Sequence, residues 1–206
     1  ERVYGKEFAD HIDLHYEQAK EKRWIPDYAA KPWRMAIMAG HNPANWRASG
    51  EAWRQSAMSQ LELVVTMTPD MSATAMSSDI VLPIAHHYEL QDMTMEGRTP
   101  YVQVLDQAVP PLGDALPDWK AQRALIKRIS ERSKERGIGI IKDNMFGQPI
   151  DRDYTTAYEQ FTLNGEISDP TKLVEFILQN SFGIPDITWD EFAKRGILRV
   201  DDSDDV

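Results

Sequence analysis

ELVVTMTPDMSATAMSSDIVLP, residues 62–83, holds two short apolar runs separated by a polar stretch. Val64, Val65 and Met67 dominate the first run; Ile80, Val81 and Leu82 form the second, which stops at Pro83. Apolar runs of about 4–8 residues bounded by turn residues suit buried strands. The stretch between them, DMSATAMSS, reads as short and weakly helical. A third run, RMAIMAG (34–40), lies upstream and ends in Gly40. Between it and residue 62, Trp53, Ala57, Met58 and Leu61 recur at helical spacing. Strand, helix, strand, short helix, strand is the order of a parallel sheet with right-handed crossovers. The expected fold is therefore α/β: an open, mostly parallel, Rossmann-like sheet with flanking helices. Residues 34–39, 62–67 and 80–83 should be adjacent parallel strands, the first buried on both faces. Helices near 51–61 and 117–136 should pack on that sheet.

Outward from this unit the signals weaken. A helix is expected near Phe8–Lys22, ending before Pro26. TPYVQVL (99–105) suits a strand, and VPPLGDALP (109–117) an extended connection. PDWKAQRALIKRISERSKERG (117–137) is a long helix with Pro117 at its start, basic residues in its last turns and Gly137 as its stop. DPTKLVEFILQN (169–180) carries Leu173, Val174, Ile177 and Leu178 on one face. In TWDEFAKRG (188–196), Thr188 and Glu191 fit a capping box and Gly196 fits the stop. The divisions expected are 1–33, a helical lead-in; 34–145, the α/β unit; and 146–206, a mostly helical extension.

Composition bounds the function. The chain has 206 residues, one large domain or two small ones, and at that size about 70% of the unfolded surface can be buried. A formal net charge of −10 argues against nucleic acid and anionic lipid as partners. Asp201, Asp202, Asp204 and Asp205 concentrate part of it in an acidic tail. No apolar run approaches the roughly 18–20 residues of a membrane helix. The absence of cysteine removes disulfides, thiolate zinc sites and iron–sulfur ligation from this chain. The first residue is Glu1, without a signal-peptide pattern, which leads to the expectation of an internal piece of a longer protein.

The candidate chemistry lies where the strands end. In open parallel sheets, ligands bind outside the carboxyl ends of the strands. After the first strand comes Gly40-His41-Asn42-Pro43; Asn42 offers both a donor and an acceptor. Ser49 is placed to cap the next helix. After the second strand comes Thr66-Met67-Thr68-Pro69-Asp70. After the third come His86, His87, Glu89 and Asp92, which suit a metal site, a ligand groove or a strand cap. Adjacent residues of an extended chain point to opposite sides, so one ion cannot easily take both histidines. The dinucleotide fingerprint and the Walker loop are missing, which disfavours an ordinary NAD or ATP site.

MAGHNPANW (38–46), SSDIVLPIAHHYELQD (77–92) and EGRTPYVQVLDQAVPPLGDALPDW (96–119) resemble the catalytic subunits of the dimethyl sulfoxide reductase family. The branch resembled most is that of respiratory nitrate reductases and nitrite oxidoreductases, with perchlorate reductase and ethylbenzene dehydrogenase. The likeness covers residues 30–135, and WDEFAKRGILRV (189–200) shares it less specifically. It implies an oxidoreductase holding molybdenum between two molybdopterin guanine dinucleotides. Residues 34–145 would then be the domain gripping the guanosine end of one of them. On this resemblance Asn42 contacts the cofactor, Met67 and Thr68 meet the nucleotide, and Asp118 accepts from guanine N–H groups. His86 and Glu89 shape the groove.

Two positions depart from the family pattern. Thr68 stands where an acid is common, so either Asp70 substitutes or the guanosine bond is made differently. Leu90 stands where Lys is common. The resemblance assigns no catalytic residue and no metal ligand to this chain: the molybdenum ligand and the iron–sulfur cysteines would lie upstream, and a C-terminal domain would follow. Implied partners are the remaining domains of the subunit, an iron–sulfur electron-transfer subunit and a small-molecule substrate, without nucleic acid or direct membrane insertion. The compartment stays open; a periplasmic or membrane-associated complex suits the family. The alternative is a stand-alone α/β accessory module without cofactor. A response-regulator-like or NAD-binding domain lacks its acidic cluster or its glycines here.

Overall fold

A computed structural model describes residues 5–22, 24–25, 32–46, 48–145 and 148–200. The three apolar runs form one parallel sheet in the order β1 (Met35–Ala39), β2 (Leu63–Thr68), β3 (Ile80–Pro83). The register sets Ile37 beside Val65 and Thr66 beside Val81. Between β1 and β2 run α2 (Pro43–Trp46), α3 (Gly50–Ser56) and a 3₁₀ turn at Met58–Gln60; a second 3₁₀ turn at Ala75–Ser77 precedes β3. The expected strands and their parallel pairing are all present.

Their burial differs from expectation. Only β2 is enclosed, with Val64, Val65, Thr66 and Met67 all buried. β1 alternates between exposed and half-buried residues, and Ile80 of β3 is 45% exposed. β1 and β3 are the two edges of a three-stranded sheet, so each has a strand on one side only. Thr66 is tolerated in the centre because its hydroxyl bonds the Ser78 hydroxyl at 2.7 Å, and Ser78 Oγ also donates to the Thr74 carbonyl.

A second sheet is antiparallel: β4 (Asp92–Met95), β5 (Tyr101–Leu105) and β8 (Ile197–Arg199), in that order. Here β5 carries the run expected as a strand, while β4 and β8 are too short to announce themselves. α6 (Pro170–Gln179) and α7 (Trp189–Arg195) cover this sheet. Val102, Val174, Leu178, Ile187, Phe192 and Leu198 make its core. Asp169 caps α6 through the Thr171 and Lys172 amides, and the Thr188–Glu191 capping box is formed. The hairpin of β6 (Ile141–Met145) and β7 (Gln148–Arg152) crosses residue 145, and β8 returns to pair with β5.

The long helix α4 (Asp118–Glu135) forms as read, with Gly137 just past its end at φ 62°. Its principal contacts run to the 154–161 segment, which includes α5 (Ala157–Phe161), rather than to the parallel sheet. Trp119 stacks on Phe161, and the Arg123 guanidinium lies between the Trp119 and Tyr158 rings and donates to the Tyr158 hydroxyl at 2.8 Å. The lead-in helix α1 (Lys6–Glu21) buries no residue. Phe8, Ile12 and Tyr16 on α1, Trp46 on α2 and Ile37 on β1 are exposed large apolar side chains. No helix among the described residues is long and apolar enough to cross a membrane.

Candidate functional site

Three loops meet at the carboxyl edge of the parallel sheet. The first follows β1. Asn42 Oδ1 accepts from the Thr74 amide at 3.1 Å and from the Thr74 hydroxyl at 2.8 Å. Thr74 Oγ1 in turn accepts from the Ala44 amide at 3.1 Å. Thr74 is fully buried, so this chain of bonds locks the loop after β1 to the loop after β2. Asn42 thereby spends its carbonyl oxygen inside the protein; its amide nitrogen has no partner among the described residues and stays available to a ligand. The sequence pointed to Asn42 but not to Thr74, which lies 32 residues away in a weakly helical stretch.

Substituting Thr74 tests the lock. Thr74→Val keeps the shape, leaves the buried Ala44 amide without its acceptor and removes one donor from Asn42. The expected cost is about 1–2 kcal/mol, read as roughly 5- to 30-fold faster hydrogen exchange at the Ala44 amide. Unchanged exchange there would show that the bond contributes nothing.

The second loop follows β2. Thr68 Oγ1 donates to Asp70 Oδ1 at 3.0 Å and accepts weakly from the Asp70 amide at 3.4 Å. The strand end therefore presents a carboxylate after all, one turn beyond Thr68. Met67 is buried, so only its backbone is offered at this edge. The Thr68 carbonyl is taken by the Ile84 amide at 3.1 Å.

The third loop follows β3. The Ala85 amide donates to the Leu116 carbonyl, and the Leu116 amide to the Pro83 carbonyl. This isolated parallel bridge between Ile84 and Leu116 brings Pro117 and Asp118 beside the carboxyl end of β3. Asp118 opens α4 without capping it through its side chain. Burial pushes its carboxyl above the ordinary aspartate range; its own backbone N–H pulls it down, and Asp92 nearby pushes it up.

His86 and Glu89 sit together. Glu89 Oε2 accepts from the His86 amide at 2.8 Å, and the Glu89 amide donates to the His86 carbonyl at 2.7 Å. The carboxylate closes the turn that carries it. The His86 and His87 rings lie 4.1 Å apart and both residues are exposed. Among the described residues, no group of three or more His, Asp or Glu stands close enough to hold a metal ion. Ser49 does not cap α3: it stands at the cap position in left-handed conformation, φ 60°, with no side-chain bond to the helix.

An open cavity of about 340 Å³ lies beside the start of α4, lined among others by Glu89, Leu90, Pro117, Lys120, Asp169 and Thr171; Asp118 is not among its lining residues. That volume is within the range of small-ligand sites, about 300–1,000 Å³. Leu90 is buried in its wall. Lys120 also lines this cavity. Partial burial raises the Asp169 carboxyl, but bonds from the Thr171 and Ser168 hydroxyls and the Lys172 and Thr171 amides outweigh it and hold the group low.

The family described as Molybdopterin oxidoreductase matches residues 8–128, which include all three loops. The chain belongs to that family. Members similar to it include a respiratory nitrate reductase subunit alpha from Haloferax mediterranei, 34% identical over 178 residues. That match takes in 78% of this chain and 18% of the relative. A chlorate reductase subunit alpha from Ideonella dechloratans is 28% identical over 192 residues, 93% of this chain and 21% of the relative. A dimethylsulfide dehydrogenase subunit alpha from Rhodovulum sulfidophilum is 27% identical over 92% of this chain and 20% of its own length. The chain thus spans about a fifth of the length of the curated relatives it matches. Among solved structures, the acetylene hydratase of Pelobacter acetylenicus shares the fold, with a TM-score of 0.51 at 17% identity. That likeness takes in 83% of this chain and 19% of the hydratase.

Proposed function

We propose that this segment holds the guanosine end of one molybdopterin guanine dinucleotide in a larger molybdenum oxidoreductase subunit. The observation that carries the reading is the half-buried Asp118 carboxyl beside the carboxyl end of β3, which bonds no other side chain among the described residues. Guanine presents adjacent N1–H and N2–H donors, which a carboxylate accepts well. Asn42 would add a donor through its free amide nitrogen. Asp70, held by Thr68, would serve the ribose or base, and the Met67 backbone would border the nucleotide. Lys120 suits the pyrophosphate charge. His86 and Glu89 would shape the groove as a closed turn. These groups fit the cofactor: two carboxylates for donors and one amide donor along the carboxyl edge of the sheet, with one cation on α4 two residues beyond Asp118. When bound, such a group supplies the redox chemistry at its metal, and the segment supplies position.

The substrate proposed is nitrate, reduced to nitrite by two electrons and two protons with release of water, or the same reaction in reverse. The names of the relatives, which include nitrate, chlorate and perchlorate reductases, support an oxyanion. Relatives named as alpha subunits support further domains and partner subunits, and the partner proposed is an iron–sulfur electron-transfer subunit. The uncovered faces of α1, α2 and β1 suit such neighbours and speak against a stand-alone module.

Asn42→Asp in the full-length subunit tests the nucleotide site. The carboxylate keeps the acceptor for Thr74, so the lock survives, but both Nδ2 donors are lost. Guanine nucleotide released by acid should fall by about 2- to 10-fold, the scale of one hydrogen bond. Full content would remove Asn42 from the site. Dye-linked turnover of nitrate against chlorate tests the substrate; activity on neither nitrate nor nitrite would refute that choice.

A further inference from the structure

α4 begins at the carboxyl edge of the parallel sheet, yet its direction is set elsewhere. The Ile84–Leu116 bridge ties the chain just ahead of the helix. Beyond that point the 154–161 segment holds it. Arg123 Nη2 donates to the Tyr158 hydroxyl at 2.8 Å, Ser130 Oγ accepts from the Tyr158 amide at 2.9 Å, and Lys134 Nζ donates to Glu159 Oε1 at 3.1 Å. Positions 123, 130 and 134 recur at helical spacing, so these ties lie along one face of α4. The Arg123 tie differs from the others in where its charge sits. The guanidinium carbon is 5.5 Å from the Trp119 ring centroid and 5.6 Å from that of Tyr158. Its Nε is buried and has no hydrogen-bond partner among the described residues. An arginine on a solvated helix face keeps all its donors in water; here one donor is given up for the place between the rings. A cation held against ring faces with water excluded is bound more firmly than an exposed one.

Trp119 lies one turn before Arg123 on the helix and also stacks on Phe161, with ring centroids 6.0 Å apart. It directly follows Asp118. Asp118 therefore stands between two anchors, the bridge at Leu116 behind it and the gripped Trp119 ring ahead. We propose that Arg123 and Tyr158 are positioning residues for the nucleotide edge: by gripping Trp119 they fix the direction in which α4 presents Asp118 to guanine. This rests on the nucleotide reading given above. With the grip released, the bridge still holds Leu116, but the helix is free to pivot about it. A carboxylate that accepts from two adjacent N–H groups tolerates little rotation. Tyr158 and Phe161 lie beyond residues 8–128, the stretch matched by the family, so this chain braces the edge with a segment outside that unit.

Tyr158→Phe in the full-length subunit tests the grip, because it keeps the ring and removes the hydroxyl. The readout is the rate at which the loaded subunit loses its dinucleotide on dilution, followed by the guanine nucleotide that remains bound. Residues acting through packed neighbours shift a site by about 2- to 30-fold, and loss about 3- to 10-fold faster is expected here. Arg123→Lys keeps the charge but not the planar fork and should match it. Added to Asp118→Asn, Tyr158→Phe should change the rate by less than about 2-fold, since the route runs through Asp118. The Ala121 amide, bonded to the Pro117 carbonyl at 3.1 Å in the first turn, should exchange about 2- to 10-fold faster in Tyr158→Phe. Parental loss rates in Tyr158→Phe beside faster loss in Asp118→Asn would overturn the grip and leave the nucleotide reading standing. An equal effect of Tyr158→Phe with and without Asp118→Asn would reduce it to general packing and overturn the positioning role. Parental retention in Asp118→Asn would remove the nucleotide reading itself, and the role of the grip with it.

Discussion

Gly50→Ala is expected to break the loop after β1. A Cβ built on Gly50 would lie 2.1 Å from the Ala44 carbonyl oxygen and 2.9 Å from its carbon, both backbone atoms that cannot rotate away. Ala44 is itself buried, and its amide is bonded to Thr74 Oγ1. The preceding residue, Ser49, is already in left-handed conformation. Relief would therefore have to come from moving 42–46 as a unit, which pulls on the Asn42–Thr74 bonds. Overpacking costs about 1–3 kcal/mol and occasionally more. The gain from a stiffer unfolded chain, about 0.4–1 kcal/mol, offsets only part of that. A net loss of about 2 kcal/mol, from the upper end of that range, should appear as roughly 30-fold faster exchange of the Thr74 and Trp46 amides in the full-length subunit. Wild-type protection in Gly50→Ala would mean that the loop yields freely and positions nothing.

Asp118→Asn should separate cofactor retention from stability. If Asp118 accepts from guanine, its loss costs a bond to a charged group, about 1.5–3 kcal/mol, or roughly 10- to 150-fold in retention. The empty fold should respond in the opposite direction. Burial and Asp92 hold the Asp118 carboxyl above its ordinary range, so the folded chain holds that proton more tightly than the unfolded one. Its contribution to stability is present below the ordinary value and is lost as pH rises through the raised one. At neutral pH the ionised group opposes the fold, and neutral Asn removes that opposition. The variant should thus melt no lower than the parent when both are stripped of cofactor, and lose the nucleotide more readily when loaded. Full occupancy in Asp118→Asn would leave the residue as a helix starter only. A fall in melting temperature of the stripped protein would contradict the burial argument.

The fold was legible where apolar runs are bounded by turn residues. Residues 62–83 announce β2, the turn and β3 because Pro83 and Pro69 mark the limits. The capping box at Thr188 and the stop at Gly137 were equally plain, being local. Layering was not. The runs 34–40 and 80–82 read as buried, yet β1 and β3 are edges, since a run reports apolarity and not which neighbours cover it. β8 is held by β5, far back along the chain and beyond any local pattern, while β4 and the β6–β7 hairpin pair locally but are too short and polar to announce themselves. At the site, Asn42, Thr68 and Asp118 could be named from where strands and helices end. Their partners could not. Thr74 is fixed by a contact across 32 residues, and Asp92 reaches Asp118 only through the bridge between Ile84 and Leu116. Glu89 lines the cavity and also closes its own turn, a bond set by backbone geometry rather than residue type.

The return of β8 to β5 has a consequence for how the chain emerges from the ribosome. Val102 pairs with Met95 on one side but stays without its second partner until Leu198 has been made, roughly 100 residues or about 5–20 s of synthesis later. β1, β2 and β3 can pair long before that, since each lies close to the next along the chain. Throughout the interval Met93, Val102 and Val104 form an uncovered apolar face next to a growing acidic polypeptide. The carboxyl edge of the parallel sheet is thus built early, and the antiparallel sheet closes last. A ribosome stalled before residue 197 would display a sheet edge open to wrong partners, the stage at which a chaperone has most to protect.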